Sequence, residues 1–161
     1  MGLMNCKPAI AIVYSSVTGN TAELAGMLLE CAQKRWTDVR VLGPREFCQE
    51  KIGDFDVVLV GTYTWGSGEI PHDMQRVYRH FENADCKSVV TAVFGTGDSF
   101  FAEYCGAVNR FRDMLFDQTQ LAAVLKVELS PQEHDLARCE KFVEAVARRL
   151  VPDGIKQRKA T

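Results

Sequence analysis

Apolar positions along the chain fall into two alternating rhythms. Residues 9–14 (AIAIVY) form a short, β-branched apolar run, the mark of a buried strand. Residues 21–35 then place Leu24, Met27, Leu28 and Cys31 at helical spacing, the stripe of an amphipathic helix. The rhythm repeats. Residues 38–42 (DVRVL) alternate as an edge strand does, and residues 56–63 (DVVLVGTY) are apolar on both faces, as a central parallel strand should be. Residues 72–83 read as a helix with Met74, Val77, Tyr78 and Phe81 on one face, residues 88–95 as another buried strand, and residues 104–116 as a helix. Residues 123–129 (AVLKVEL) supply a fifth strand, and residues 132–150 a last helix with Leu136, Cys139, Phe142, Val143, Val146 and Leu150 turned inward.

Five strands alternating with helices imply an α/β fold, a parallel sheet with helices on both faces. Right-handed crossovers leave few ways to wind it, and one common solution is the single doubly wound five-stranded sheet of order 2-1-3-4-5. Ligands of such sheets sit beyond the carboxyl ends of the strands, at the switch point beside strand 1. The loops after strands 1, 3 and 4, residues 15–21, 62–71 and 95–105, are therefore the candidates.

Composition narrows the picture modestly. A length of 161 residues suits one domain, with a core over about 8–150 and a basic C-terminal tail over 151–161. The formal net charge is −2. Residues 50–105 carry nine acidic and four basic side chains, whereas residues 138–161 carry seven basic and three acidic. No aromatic residues interleave with the basic end, so the expectation is a solvated tail and no nucleic-acid partner. The six cysteines form no CxxC pair and the three histidines are scattered. That argues for reduced thiols in a cytoplasmic protein, with neither a disulfide frame nor a metal site. No segment approaches the ~20 apolar residues of a membrane span, and the first ten residues lack the apolar run of a signal peptide. A monomer is expected, because no long apolar edge strand stands out.

The three loops carry the chemistry. The first, Ser15-Ser16-Val17-Thr18-Gly19-Asn20-Thr21, opens a helix, where unpaired backbone N–H groups and the helix dipole favour an anion. The hydroxyls of Ser16, Thr18 and Thr21 and the amide of Asn20 add neutral donors, and Gly19 lets the backbone come close. No lysine is present, which excludes a Walker P-loop. A helix cap with spare hydroxyls and a cradle for an untransferred phosphate monoester both fit. The second loop is Thr62-Tyr63-Thr64-Trp65-Gly66-Ser67-Gly68-Glu69, in which Trp65 either covers the rim of the core or clamps a planar ligand. The third runs Phe94-Gly95-Thr96-Gly97-Asp98-Ser99-Phe100-Phe101-Ala102-Glu103-Tyr104-Cys105-Gly106, again glycines followed by aromatics directly after a strand. An inward-packed turn accounts for Phe100 or Tyr104 but not for the whole set. Together the loops describe a ligand with a phosphate at one end and a flat ring system at the other, a description that flavin mononucleotide (FMN) meets.

At these loops the chain resembles the short-chain flavodoxins, whose strand order is the one named above. Ser16-Val17-Thr18-Gly19-Asn20-Thr21 matches the family's phosphate loop [ST]-x-T-G-x-T, and Thr64-Trp65-Gly66 its second loop. Phe94-Gly95-Thr96-Gly97-Asp98-Ser99 and Cys105-Gly106-Ala107-Val108 match the third. The resemblance runs from about residue 8 to 150, with no long insertion in the fifth strand. It implies non-covalently bound FMN, with Ser16, Thr18, Asn20 and Thr21 and the loop amides on the phosphate. It also implies Trp65 on one ring face, Phe101 at the position of the usual tyrosine on the other, and the backbones of Asp98, Glu103 and Cys105 at the pyrimidine edge. The Gly66–Ser67 peptide would turn its carbonyl toward flavin N5. The implied function is a low-potential one-electron carrier working through a neutral semiquinone, without substrate turnover of its own. Its implied partners are an NAD(P)H-dependent flavodoxin reductase and an acceptor redox enzyme. The alternative is a flavodoxin-like FMN enzyme or activator, of the quinone reductase type or one that activates ribonucleotide reductase. Three features depart from the family pattern: Val17 in place of a hydroxyl residue, Phe101 in place of tyrosine, and a near-neutral rather than strongly acidic charge.

Overall fold

The apolar run near the N-terminus forms strand β1 (Ile10–Tyr14), and its two faces diverge at once. Ile10 and Ile12 join one core cluster, and Ala11 and Val13 the other, because successive strand side chains point to opposite sides. In this computed structural model, which describes residues 7–101 and 103–150, β1 pairs in parallel with β2 (Val39–Leu42) and β3 (Val57–Tyr63). Strands β4 (Val90–Gly97) and β5 (Gln120–Glu128) complete a five-stranded sheet of order β2-β1-β3-β4-β5, as the sequence implied. The basic segment 151–161 lies outside the described residues.

Helices cover both faces. Helix α1 (Asn20–Gln33) and helix α5 (Asp135–Arg149) bury Leu24, Leu28, Phe142 and Val146 against Ile10, Ile12 and Leu59. On the other face α3 (His72–Glu82) and α4 (Gly106–Gln118) bury Met74, Val77, Phe81 and Phe111 against Val13, Val58 and Val60. Burial on both faces explains why β1, β3 and β4 read as continuous apolar runs. Among the described residues no helix is long and apolar enough to cross a membrane.

Four details differ from the sequence reading. A four-residue helix α2 (Pro44–Phe47) and a single 3₁₀ turn (Ile52–Asp54) follow β2. Both are too short to show a period. Proline at the first helical position starts α2, and buried Phe47 stacks with Phe55 and Phe81. Strand β5 begins at Gln120 rather than 123, because an irregularity beside Thr91 and Ala92 lets Leu121 and Ala123 pair with them while Ala122 is passed over. That makes β5 a nine-residue edge strand with Val124 exposed and Leu121–Ala123 half-buried. The long apolar edge absent from the sequence reading is therefore present. Finally, Leu136 is exposed: Asp135, not Leu136, begins the inward stripe of α5. The Asp135 carboxylate accepts hydrogen bonds from the Gln132 amide (2.8 Å) and from Arg138 Nη1 (2.9 Å), which makes its burial tolerable.

Candidate functional site

Strands β1, β3 and β4 end at one edge of the sheet, and the three candidate loops meet there. In the first, Gly19 adopts φ 97° just before α1, a left-handed conformation that suits glycine. Ser16 Oγ accepts from the Ala22 amide (3.1 Å) and so ties the loop across the helix start. The amides of residues 17–21 find no acceptor among the described residues and form an open set of donors at the helix N-terminus. Two further hydroxyls of the loop, one of them the predicted donor Thr21, are also engaged. Ser15 Oγ donates to Asp73 Oδ2 (2.6 Å), and the buried Thr21 hydroxyl shares a hydrogen bond with the Thr96 hydroxyl (2.7 Å). The latter bond joins the first loop to the third.

The second loop is a small hairpin. Trp65 and Glu69 exchange two backbone hydrogen bonds (2.8 and 2.7 Å), leaving Gly66-Ser67-Gly68 at the tip. Gly66 (φ 53°) and Gly68 (φ 104°) supply the left-handed turns that close so tight a loop. The hairpin lies on the start of α4. Thr64 Oγ1 accepts from the Ala107 amide (3.2 Å), and Arg110 Nε donates to the Gly68 carbonyl (2.7 Å). A Cβ on Gly106 would fall 2.6 Å from Gly68 Cα, so the two backbones touch. At the base of the loop, the Thr62 hydroxyl is buried and donates to the Tyr63 carbonyl (2.7 Å). Burial, reinforced by the Asp73 carboxylate, raises the Tyr63 phenol pKa.

Asp98 organises the third loop: its carboxylate accepts from the Phe100 amide (2.9 Å) and its carbonyl from Phe101 (3.1 Å). Phe100 is 95% exposed and Phe101 61%, so neither aromatic packs inward. Cys105 caps α4 in a left-handed conformation (φ 54°) and is buried, and a Cβ on Gly97 would meet its Sγ at 2.8 Å. Burial pushes the Cys105 thiol up to about 11 and the neighbouring Tyr104 phenol up to about 12, so both stay protonated at neutral pH.

The loops enclose a cavity of about 290 Å³, near the lower end of the size of small-molecule sites. Its walls are Val17, Thr18 and Asn20 from the first loop and Tyr63, Thr64 and Gly66 from the second. The third contributes Thr96, Gly97, Asp98, Phe101, Glu103 and Cys105. The other predicted residues, Ser15, Ser16, Gly19, Thr21, Thr62, Trp65, Ser67, Gly68, Gly95 and Tyr104, are not on the wall. Ser15, Thr21 and Thr62 spend their hydroxyls on partners within the protein, and Trp65 stands 58% exposed beside the Gly66 wall. One wall residue was missed, Leu129, which follows β5. Its signal was its place at the carboxyl end of a strand on the same edge.

The fit of FMN to these residues rests on the donor chemistry. The open amides 17–21, with Thr18 and Asn20, offer neutral donors and a helix dipole but no cation, which suits a phosphate that is held and not transferred. The rest of the lining combines an aromatic ring at Phe101 with backbone-rich glycine turns, which suits a flat heterocycle. Fold and site thus define a doubly wound α/β domain with a cavity at its switch point whose lining suits a phosphate-bearing ring compound.

The comparisons with known proteins agree. The family model described as flavodoxin matches residues 12–142. Probable flavodoxin 1 of Bacillus subtilis (strain 168) is 33% identical over 136 residues, 81% of this chain and 85% of the relative. The solved flavodoxin of Streptococcus pneumoniae TIGR4 superposes with a TM-score of 0.79 at 31% identity, over 88% of this chain and 99% of that one. That of Fusobacterium nucleatum, described as bound to flavin mononucleotide, shares the fold at 17% identity (TM-score 0.72, 88% and 98% covered). The chain belongs to the flavodoxin family. As such it is an electron carrier whose cofactor is FMN.

Proposed function

We propose that this flavodoxin passes single electrons from an NAD(P)H-dependent reductase to an acceptor redox enzyme in the cytoplasm and turns over no substrate itself. The single domain would suffice for the task. The observation that carries the reading is the cavity itself: three loops of one sheet edge converge on it, and its lining joins neutral donors to an aromatic ring. FMN supplies the redox chemistry when bound, and the chain binds it and sets its energetics.

The residue roles follow from their surroundings. The amides 17–21 with Thr18 and Asn20 hold the phosphate, while Ser15, Ser16 and Thr21 brace the loop through Asp73, the Ala22 amide and Thr96. Phe101, on the cavity wall, would cover one ring face, and Trp65, exposed beside the Gly66 wall, would cover the other. The Gly66 carbonyl would accept a hydrogen bond from the protonated N5 of the ring. Its hairpin is pinned at Trp65 and Glu69, and the glycines on both sides of Ser67 leave the intervening peptide free to rotate at low cost. Glu69, Asp98 and Glu103 sit on the surrounding loops, and their negative field opposes further negative charge in the cavity. The free thiols of Cys31, Cys48, Cys105 and Cys139 are in keeping with a reducing compartment.

Reconstitution with FMN, followed by NAD(P)H consumption with and without a flavodoxin reductase, tests the assignment. A carrier oxidises NAD(P)H only when the reductase is present. Rapid oxidation by the purified chain alone would move it to the enzyme reading.

A further inference from the structure

Among the described residues only two that are not glycine adopt positive φ, Cys105 (φ 54°) and Leu129 (φ 54°), and both are on the cavity wall. Cys105 belongs to the third loop. Leu129 belongs to none of the three loops, and leucine in the left-handed region is uncommon and strained, because its Cβ crowds the following carbonyl. Such strain persists only where the surroundings over-determine it, and it gathers at ligand sites.

The surroundings here are specific. The Leu129 amide donates to the Gly97 carbonyl (2.7 Å), extending the β4–β5 ladder past its last pair, Gly97 and Glu128. The Ser99 hydroxyl donates to the Glu128 carboxylate, a second tie between the third loop and the end of β5. These bonds fix Leu129 at the wall while leaving its side chain 51% exposed. A leucine held in a strained conformation and half open to water is a poor arrangement for the protein alone. It makes sense if something else covers the side chain.

We propose that the β5–α5 junction is a fourth cofactor-binding segment, in which Leu129 packs against bound FMN and shields it from water, while Glu128 positions the third loop through Ser99. The inference rests on the FMN reading of the cavity and assigns to it a contact from outside the three family loops. The occupant is a flat apolar surface rather than a charged group, because the contributing side chain is purely aliphatic.

The experiment compares wild type with Leu129→Ala and Leu129→Gly, using FMN dissociation constants from fluorescence quenching, iodide access to bound FMN, and the thermal midpoint of the FMN-free protein. Leu129→Ala keeps the backbone strain and removes the contact. Covering the remaining half of a leucine corresponds to about a fivefold loss of FMN affinity, with increased iodide access. Leu129→Gly relieves the strain, so its FMN-free midpoint stands at or above that of Leu129→Ala while its FMN affinity falls equally. Glu128→Gln weakens FMN binding less than Leu129→Ala, because it acts only through the loop. FMN affinity and iodide access unchanged in both Leu129 variants would overturn the inference and leave the site reading intact. Failure of the wild-type chain to bind FMN would overturn both.

Discussion

Gly106→Ala tests how tightly the second loop is seated. Gly106 is buried at the first position of α4, and an added Cβ would lie 2.6 Å from Gly68 Cα and 3.1 Å from the Gly68 carbonyl oxygen. Both contacts are backbone, and the hairpin cannot easily retreat, because its two strands are bonded to each other and Arg110 holds the Gly68 carbonyl. Overpacking of this kind costs about 1–3 kcal/mol. Separation of the Gly68–Arg110 bond adds to that, whereas alanine returns at most about 1 kcal/mol of helix propensity. The net expectation is a loss of about 1–3 kcal/mol, a fall of about 3–9 °C in the midpoint of the FMN-free protein. The displaced hairpin also carries Tyr63, Thr64 and Gly66 of the wall, so FMN affinity falls by about tenfold, or 1.4 kcal/mol. Gly26→Ala is the control. Gly26 is exposed in mid-α1 with nothing within 4 Å of an added Cβ, and the substitution should stabilise by about 0.5–1 kcal/mol. Urea melts of both FMN-free variants and an FMN titration decide the matter. A Gly106→Ala protein as stable as Gly26→Ala, with wild-type FMN affinity, would refute the close seating of hairpin on helix.

Other outcomes follow from buried polar groups and thiols. Thr21→Val leaves the buried Thr96 hydroxyl without its partner, and a loss of about 1–3 kcal/mol in urea melts is expected, with weaker FMN binding; an unchanged melt would show the two loops to be uncoupled. Burial by itself raises the Asp135 pKa, but the Gln132 amide, Arg138 and His134 together hold it below the usual 3.8. Its stabilisation is therefore complete above that value and lost as pH falls through the lower folded pKa. Asp135→Asn should cost about 1–3 kcal/mol at pH 7, and the gap to wild type should close below about pH 3.8; a gap constant down to pH 2 would contradict the linkage. Burial raises the thiols of Cys105 to about 11 and Cys139 to about 12, so alkylation of the native protein at pH 8 should reach half-buried Cys48 well before either. Labelling of Cys139 as fast as Cys48 would show that α5 opens readily.

The strands whose two faces are buried were the most legible part of the fold. β1, β3 and β4 announce themselves as unbroken apolar runs, and their loops as glycine-rich breaks. Edges and short elements were harder. The start of β5 pairs through an irregularity at Ala122, which no alternation reveals, and α2 spans four residues, too few for a helical stripe. Leu136 has the right spacing for the core, yet Asp135 takes the inward position because its hydrogen bonds compensate its burial. At the site, residue types reveal which loops converge but not which atoms are free. Thr21 reads as a ligand donor, and only the fold brings Thr96 within reach of its hydroxyl. Leu129 offered only its position at the carboxyl end of β5: an aliphatic side chain carries no chemical signal, and neither its left-handed backbone nor its bond to the Gly97 carbonyl can be read from the sequence.

A one-electron carrier separates the two reduction steps of its bound FMN. A potentiometric titration of the FMN-loaded protein, followed by its visible spectrum, tests this most directly. Two resolved steps are expected, with a distinct long-wavelength band that rises in the first and vanishes in the second. A single two-electron step without that band would contradict the carrier assignment and the role given to the Gly66 carbonyl.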